Sequence, residues 1–354
     1  MTVPAAPLNR PDLRRRGAIR AFVIPCAAVF GIALAGAPRA AFGQAAVPLV
    51  PVVRGASPGV DAEVVVLCPD LGVRPEVFLA RGRGGLAITL ADAGYRVLLV
   101  DPWHSAAASD DGFDGVVADV FPDVLARVKA IAGAAPVTFV GHGLCGMLPV
   151  AAAATPRGIA LTYRWIALGT RFDWRLLAPR FRDWLGAYAV EERPLPKITQ
   201  ATMFTGFRAG LGARAGSAPP TLSQEGRVED VMYRLYDEGL HREAPRAVVE
   251  DLLRWSTSGA ITSRQGWVDY GAGLLAVTGP ALLIAGMADP MAPPEDVIAG
   301  VDRLRPRVDV QLRVLSRANG DHEEYGHLGM LLSRHAAWDV DRAILAFLRG
   351  RALP

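Results

Sequence analysis

Pro136-Val137-Thr138-Phe139-Val140-Gly141-His142-Gly143-Leu144-Cys145-Gly146-Met147 is the stretch that decides the fold. Residues 137–140 read as a short buried strand and residues 144–154 as a helix packed with small apolar side chains, so strand, glycine turn and helix follow in order. A turn of this kind lifts its central side chain above the sheet, and small neighbours let adjacent strands come close. Reading from Gly141 puts Gly143 at the tip, Cys145 at the rear small-residue position, and His142 and Gly146 beside them. A glycine tip has no atom with which to attack a carbonyl.

The same strand, turn and helix carry the G-x-S-x-G pattern, in which the tip is a nucleophilic serine. Without the serine, two readings stay open. The register can shift by two, so that residues 143–147 form the turn and Cys145 is a thiolate nucleophile, with Met147 at a position that wants a small residue. Alternatively the turn is kept for its shape, in a protein that binds without catalysing.

Working outward, residues 63–68 (Glu-Val-Val-Val-Leu-Cys) and 95–100 (Tyr-Arg-Val-Leu-Leu-Val) have the apolar runs of central parallel strands, with helical spacing over 85–93 between them. Val116, Val117, Val120, Val124, Leu125 and Val128 recur at helical intervals, with Pro122 at a start or a kink. Further strands are expected at 164–168, 281–285 and 308–315, with helices over 295–304 and through Trp338, Ile344, Leu345 and Leu348. This alternation predicts an α/β fold, a mostly parallel sheet covered by helices on both faces. Between residues 170 and 270 the strand pattern stops. That segment is rich in aromatics, arginine and proline, reads as a helical cap insertion, and has a stretch at 209–221 expected to be mobile.

The 354 residues carry 51% hydrophobic side chains and a net charge of +3, enough for a full core and no support for nucleic-acid binding. The start resembles an export signal. Arg14-Arg15-Arg16 and Arg20 precede an apolar run over 21–37, and Gly43-Gln44-Ala45 has the small residues of a cleavage site. The run is short for a membrane span and interrupted by Pro25, so no stable span is expected after cleavage. Export to the periplasm or outside the cell follows; without a true signal the chain would stay cytoplasmic. Of three cysteines, Cys68 and Cys145 remain after cleavage, too few for a disulfide scaffold. No cluster has metal-ligand spacing, and no cofactor is implied.

Three further landmarks, in the right order, make the chain from about Val47 onward resemble the α/β-hydrolase family, in particular its capped lipase-like esterases and polyhydroxyalkanoate-synthase-like proteins. Gly286-Met287-Ala288-Asp289-Pro290, after a predicted strand, is similar to the family's acid loop and implies Asp289 as the carboxylate that orients an imidazole. Tyr325-Gly326-His327-Leu328-Gly329, before the last helix, is similar to the loop of the general base and singles out His327 over His322. Cys68-Pro69-Asp70-Leu71-Gly72 aligns with the loop that helps to form the oxyanion hole, with Pro69 and Asp70 where His and Gly are expected. A carboxylate there opposes acyl transfer unless Asp70 points away.

The N-terminal residues themselves imply a signal peptide over 1–45, and the resemblance implies a core over residues 46–170 and 276–354 and a cap over 171–275. It also implies an apolar acyl ester or thioester as substrate. The family's sheet order puts Cys68 near Cys145, so a disulfide between them is a further expectation, one that would exclude Cys145 as nucleophile. Three functions follow as expectations: hydrolysis altered or lost with Gly143 at the tip, including water activation by His327 and Asp289; a non-catalytic pseudo-hydrolase; or a thiol-dependent acyl hydrolase or acyltransferase using Cys145. Sequence gives no oligomeric state.

Overall fold

In a computed structural model, the described residues are 46–53, 58–81, 84–156, 164–176, 239–289, 291–306 and 308–354. The expected signal peptide and most of the expected cap, including its 209–221 stretch, lie outside them. Among the described residues, seven strands form one sheet: β1 (Leu49–Val52), β2 (Val64–Cys68), β3 (Arg96–Val100), β4 (Val137–His142), β5 (Arg164–Leu168), β6 (Ala281–Gly286) and β7 (Val310–Leu315). Their order is β1-β3-β2-β4-β5-β6-β7. Only β1 runs antiparallel, against β3; the other pairings are parallel.

Each central strand sends alternate residues to opposite faces, and both faces are buried. Val64, Val66 and Cys68 pack into one apolar layer, whereas Val65 and Leu67 pack into the other. Helices cover the two sides. Among the main ones, α1 (Leu86–Asp92) and α6 (Ala336–Leu348) contribute to the second layer, while α2 (Phe121–Ala132), α3 (Leu148–Ala153), α4 (Arg246–Ser258) and α5 (Pro294–Leu304) contribute to the first. Among the described residues no helix is long and apolar enough to cross a membrane.

Local departures from the sequence reading have physical causes. Pro122 does stand at the start of α2, directly after a π-helical turn over Val116–Val120. The helix expected from residue 144 begins as a tight 3-10 turn, Gly143–Met147, and becomes α-helical only at Leu148, with Pro149 in its first turn where the missing N–H does no harm. The strand β1 escaped the sequence reading because it is a short, partly exposed edge strand containing a proline.

Candidate active site

The loops that carry the candidate residues leave the C-terminal ends of β2, β4, β6 and β7, one rim of the parallel sheet. Strand β4 ends at His142, and Gly143 turns with φ of 56°, the left-handed conformation that glycine adopts without penalty. Close packing explains the glycines that flank it. A Cβ on Gly141 would strike the backbone of Cys145 and Gly146, and one on Gly146 would strike Thr170, whose hydroxyl donates to the Gly143 carbonyl at 2.9 Å.

The structure corrects the register-shifted reading. Gly143 is the apex, and Cys145 lies two residues beyond it, fully buried and bonded to Cys68 with 5.9 Å between the Cα atoms. A sulfur held in a disulfide offers no thiolate. The pairing arises because β2 and β4 are neighbours, with Cys68 opposite Gly141 in the ladder.

Asp70 does not point away. Its side chain enters the space above Gly143, so that a Cβ added at residue 143 would lie well under 3.0 Å from the Asp70 carboxyl carbon and both oxygens. Oδ1 accepts two backbone N–H groups, from Leu71 at 2.8 Å and from Leu144 at 2.6 Å. Leu144 follows the apex and Leu71 stands in the loop after β2, the two positions at which the resemblance implies an oxyanion hole. Oδ2 lies 2.9 Å from His327 Nε2. The loop is braced by the buried Trp103 indole, which donates to the Pro69 carbonyl at 2.9 Å, and by the Gly72 carbonyl, which accepts from the Arg242 N–H at 2.8 Å.

On the far side of the imidazole, His327 Nδ1 lies 2.9 Å from Asp289 Oδ2. The other oxygen of Asp289 accepts from the N–H groups of Met291 and Ala292. The acid and base expected from sequence are therefore joined as a hydrogen-bonded pair. Gly169 makes room for it, since a Cβ there would stand 2.8 Å from Asp289 Oδ2 and 3.0 Å from His327 Nδ1. Arg171 braces the acid loop, donating to the Met291 carbonyl at 2.7 Å and pairing with Asp296 at 2.7 Å. Sequence reading missed Gly169, Thr170 and Arg171. For Gly169 the available signal was a glycine directly after a strand, which marks a close approach of backbone to a neighbour.

The electrostatics follow from this geometry. Burial disfavours the charge on Asp70, yet the hydrogen bond and charge of His327 outweigh it and hold the carboxyl below its ordinary value. Burial would likewise drain the proton from His327, but Asp289 and Asp70 on either side reverse the effect and push it up to about 10. An imidazolium clamped between two carboxylates has no lone pair to act as a base. His142, fully buried, is pushed down to about 4 by burial and then by the charge of His327, and lies against that ring with 4.3 Å between centroids. Its Nε2 contacts the His327 carbonyl at 3.1 Å. His322, the competitor, is half-exposed and bonds Asp339, away from the pair.

No known family model matches the chain, and no curated protein is similar in sequence. Solved structures do match in shape. An esterase from Thermogutta terrifontis, in a malate-bound form, superposes with a TM-score of 0.55 at 18% identity, covering 86% of this chain and 98% of its own. A bromoperoxidase from Bacillus anthracis gives 0.57 at 16%, with 86% and 96% covered, and an enol-lactonase from Burkholderia xenovorans LB400 gives 0.55 at 18%, with 86% and 97% covered. The chain has the α/β-hydrolase fold.

Proposed function

We propose that this chain is a pseudo-hydrolase, which keeps the acid and base of an esterase-like site and does not carry out serine-type acyl transfer. One observation carries the reading. The Asp70 carboxylate fills the three places that acyl transfer needs open: the space above Gly143 for a nucleophile, the amides of Leu71 and Leu144 for an oxyanion, and Nε2 of His327 for a proton. Activation of water by His327 is opposed by the same contact, and thiol chemistry by the Cys68–Cys145 bond.

The ligand class in this reading is an apolar acyl ester or thioester held without turnover, and the fold likeness to an esterase and a lactonase supports it. The disulfide supports an oxidising compartment and so an exported protein. A short-chain aryl ester assay tests the reading. The wild type is expected to match the uncatalysed rate, with no change in His327→Ala. The double variant Asp70→Ala/Gly143→Ser is expected to gain turnover that His327→Ala removes. Wild-type turnover that disappears in His327→Ala contradicts the reading.

A further inference from the structure

We infer that Asp70, His142 and His327 form a binding site for one divalent first-row cation such as Zn²⁺, with Asp289 holding His327 from behind. The inference rests on Asp70 lying above Gly143, as in the reading proposed above. One oxygen of Asp70 and one ring nitrogen of each histidine lie within 4.8 Å of one another, and all three residues are buried. Tetrahedral ligands at about 2.1 Å from zinc stand about 3.4 Å apart. The 2.9 Å between Asp70 Oδ2 and His327 Nε2 is already close to that spacing, and drawing the His142 nitrogen in from at most 4.8 Å takes a shift of up to about 1.4 Å.

Three independent features fit a cation. The first is an orphan: His142 Nε2 contacts a carbonyl and so carries the hydrogen, which leaves Nδ1 with a lone pair, and that buried atom has no hydrogen-bond partner. Such an atom is costly unless something occupies it. The second is the Asp289–His327 contact at 2.9 Å, the arrangement by which a carboxylate fixes the orientation of a metal-bound imidazole through its other nitrogen. The third is charge. Asp70 and Asp289 share this buried cluster with two imidazoles, and a dication matches two carboxylates with both rings neutral. Arg171, which also feels the charge of Asp289, is paired with Asp296. Binding breaks the N–H bond at Nε2 of His327, the proton leaves to solvent, and the nitrogen lone pair takes the metal. Sequence spacing could not show this site, because its ligands come from three separate segments, the loop after β2, the end of β4 and the loop after β7.

The test is a titration of the metal-stripped full chain, with Zn²⁺ followed by calorimetry and Co²⁺ followed by visible absorption. One saturable site is expected, with cobalt ligand-field bands and no thiolate charge-transfer band. Asp70→Asn and His142→Gln are each expected to weaken binding more than about 100-fold, and Asp289→Asn about 10–100-fold. Absence of a saturable site, thiolate bands, or affinity unchanged in Asp70→Asn would overturn the inference. If His142→Gln does not fold, the wild-type cobalt spectrum and the isosteric Asp70→Asn still decide. Failure to bind metal leaves the pseudo-hydrolase reading standing. His327-dependent ester turnover by the stripped protein would strike that reading alone.

Discussion

Gly143→Ser is the most informative single change, because the structure gives it two separable costs. The residue sits at φ of 56°, where a side chain costs about 1–2 kcal/mol. Its new Cβ would also overlap the Asp70 carboxylate at well under 3.0 Å, so Asp70 must leave its amide donors and His327. Removing one partner from a buried ion pair costs about 3–5 kcal/mol. The single variant should therefore lose about 4–7 kcal/mol, a large share of the roughly 5–15 kcal/mol that holds a typical domain together. Asp70→Ala alone should lose about 3–5 kcal/mol for the same broken pair. Because the two changes share that loss, the double variant should be no less stable than Gly143→Ser, which amounts to a coupling of about 3–5 kcal/mol. Urea unfolding of the wild type and the three variants, followed by tryptophan fluorescence, measures it. Additivity to within about 0.5 kcal/mol would refute the overlap of Asp70 with the residue-143 side chain.

Other consequences are equally direct. The folded-state value of His327, about 10 against an ordinary 6.5, means that its pairing stabilises the metal-free protein fully below about pH 6.5 and is lost as the pH rises through about 10. Unfolding midpoints between pH 6 and 10 should fall steadily, and in His327→Gln this alkaline slope should vanish. Under non-reducing denaturing conditions neither Cys68 nor Cys145 should take a thiol label, and replacing both by serine should cost up to about 4 kcal/mol for a loop that spans 77 residues. Gly169→Ala, at φ of 54° with its Cβ crowding Asp289 and His327, should lower stability by about 1–3 kcal/mol and shift the ring-nitrogen resonances of His327. Neutral stability with unshifted resonances in that variant would show that the pair has more room than the packing implies.

Much of the architecture was legible because the buried strands Val64–Cys68, Arg96–Val100 and Ala281–Gly286 are continuous apolar runs, which only a doubly covered parallel sheet demands. The turn at Gly143 and the loops that bring Asp289 and His327 together were legible for a related reason: each lies beyond a strand in a segment with distinctive glycine or proline chemistry. The orientation of Asp70 was not. Whether a carboxylate faces into a site depends on partners 74 and 257 residues away, Leu144 and His327, and no local pattern encodes that choice. The edge strand Leu49–Val52 was missed because it is short, partly exposed and interrupted by Pro51. Thr170 and Arg171 have ordinary surroundings in sequence and acquire their roles only where β5 ends beside the turn of Gly143 and the loop of Asp289.

The central claim, that Asp70 holds Nε2 of His327 in place of a nucleophile, is tested most directly by the imidazole nitrogens of His327 in a ¹⁵N NMR spectrum of the metal-free protein at neutral pH. Protons on both nitrogens, with the Nε2 proton coupled by hydrogen bond to Asp70 and altered in Asp70→Asn, are the predicted result. A single ring proton on Nδ1, with an unprotonated Nε2 that is indifferent to Asp70, would contradict the account.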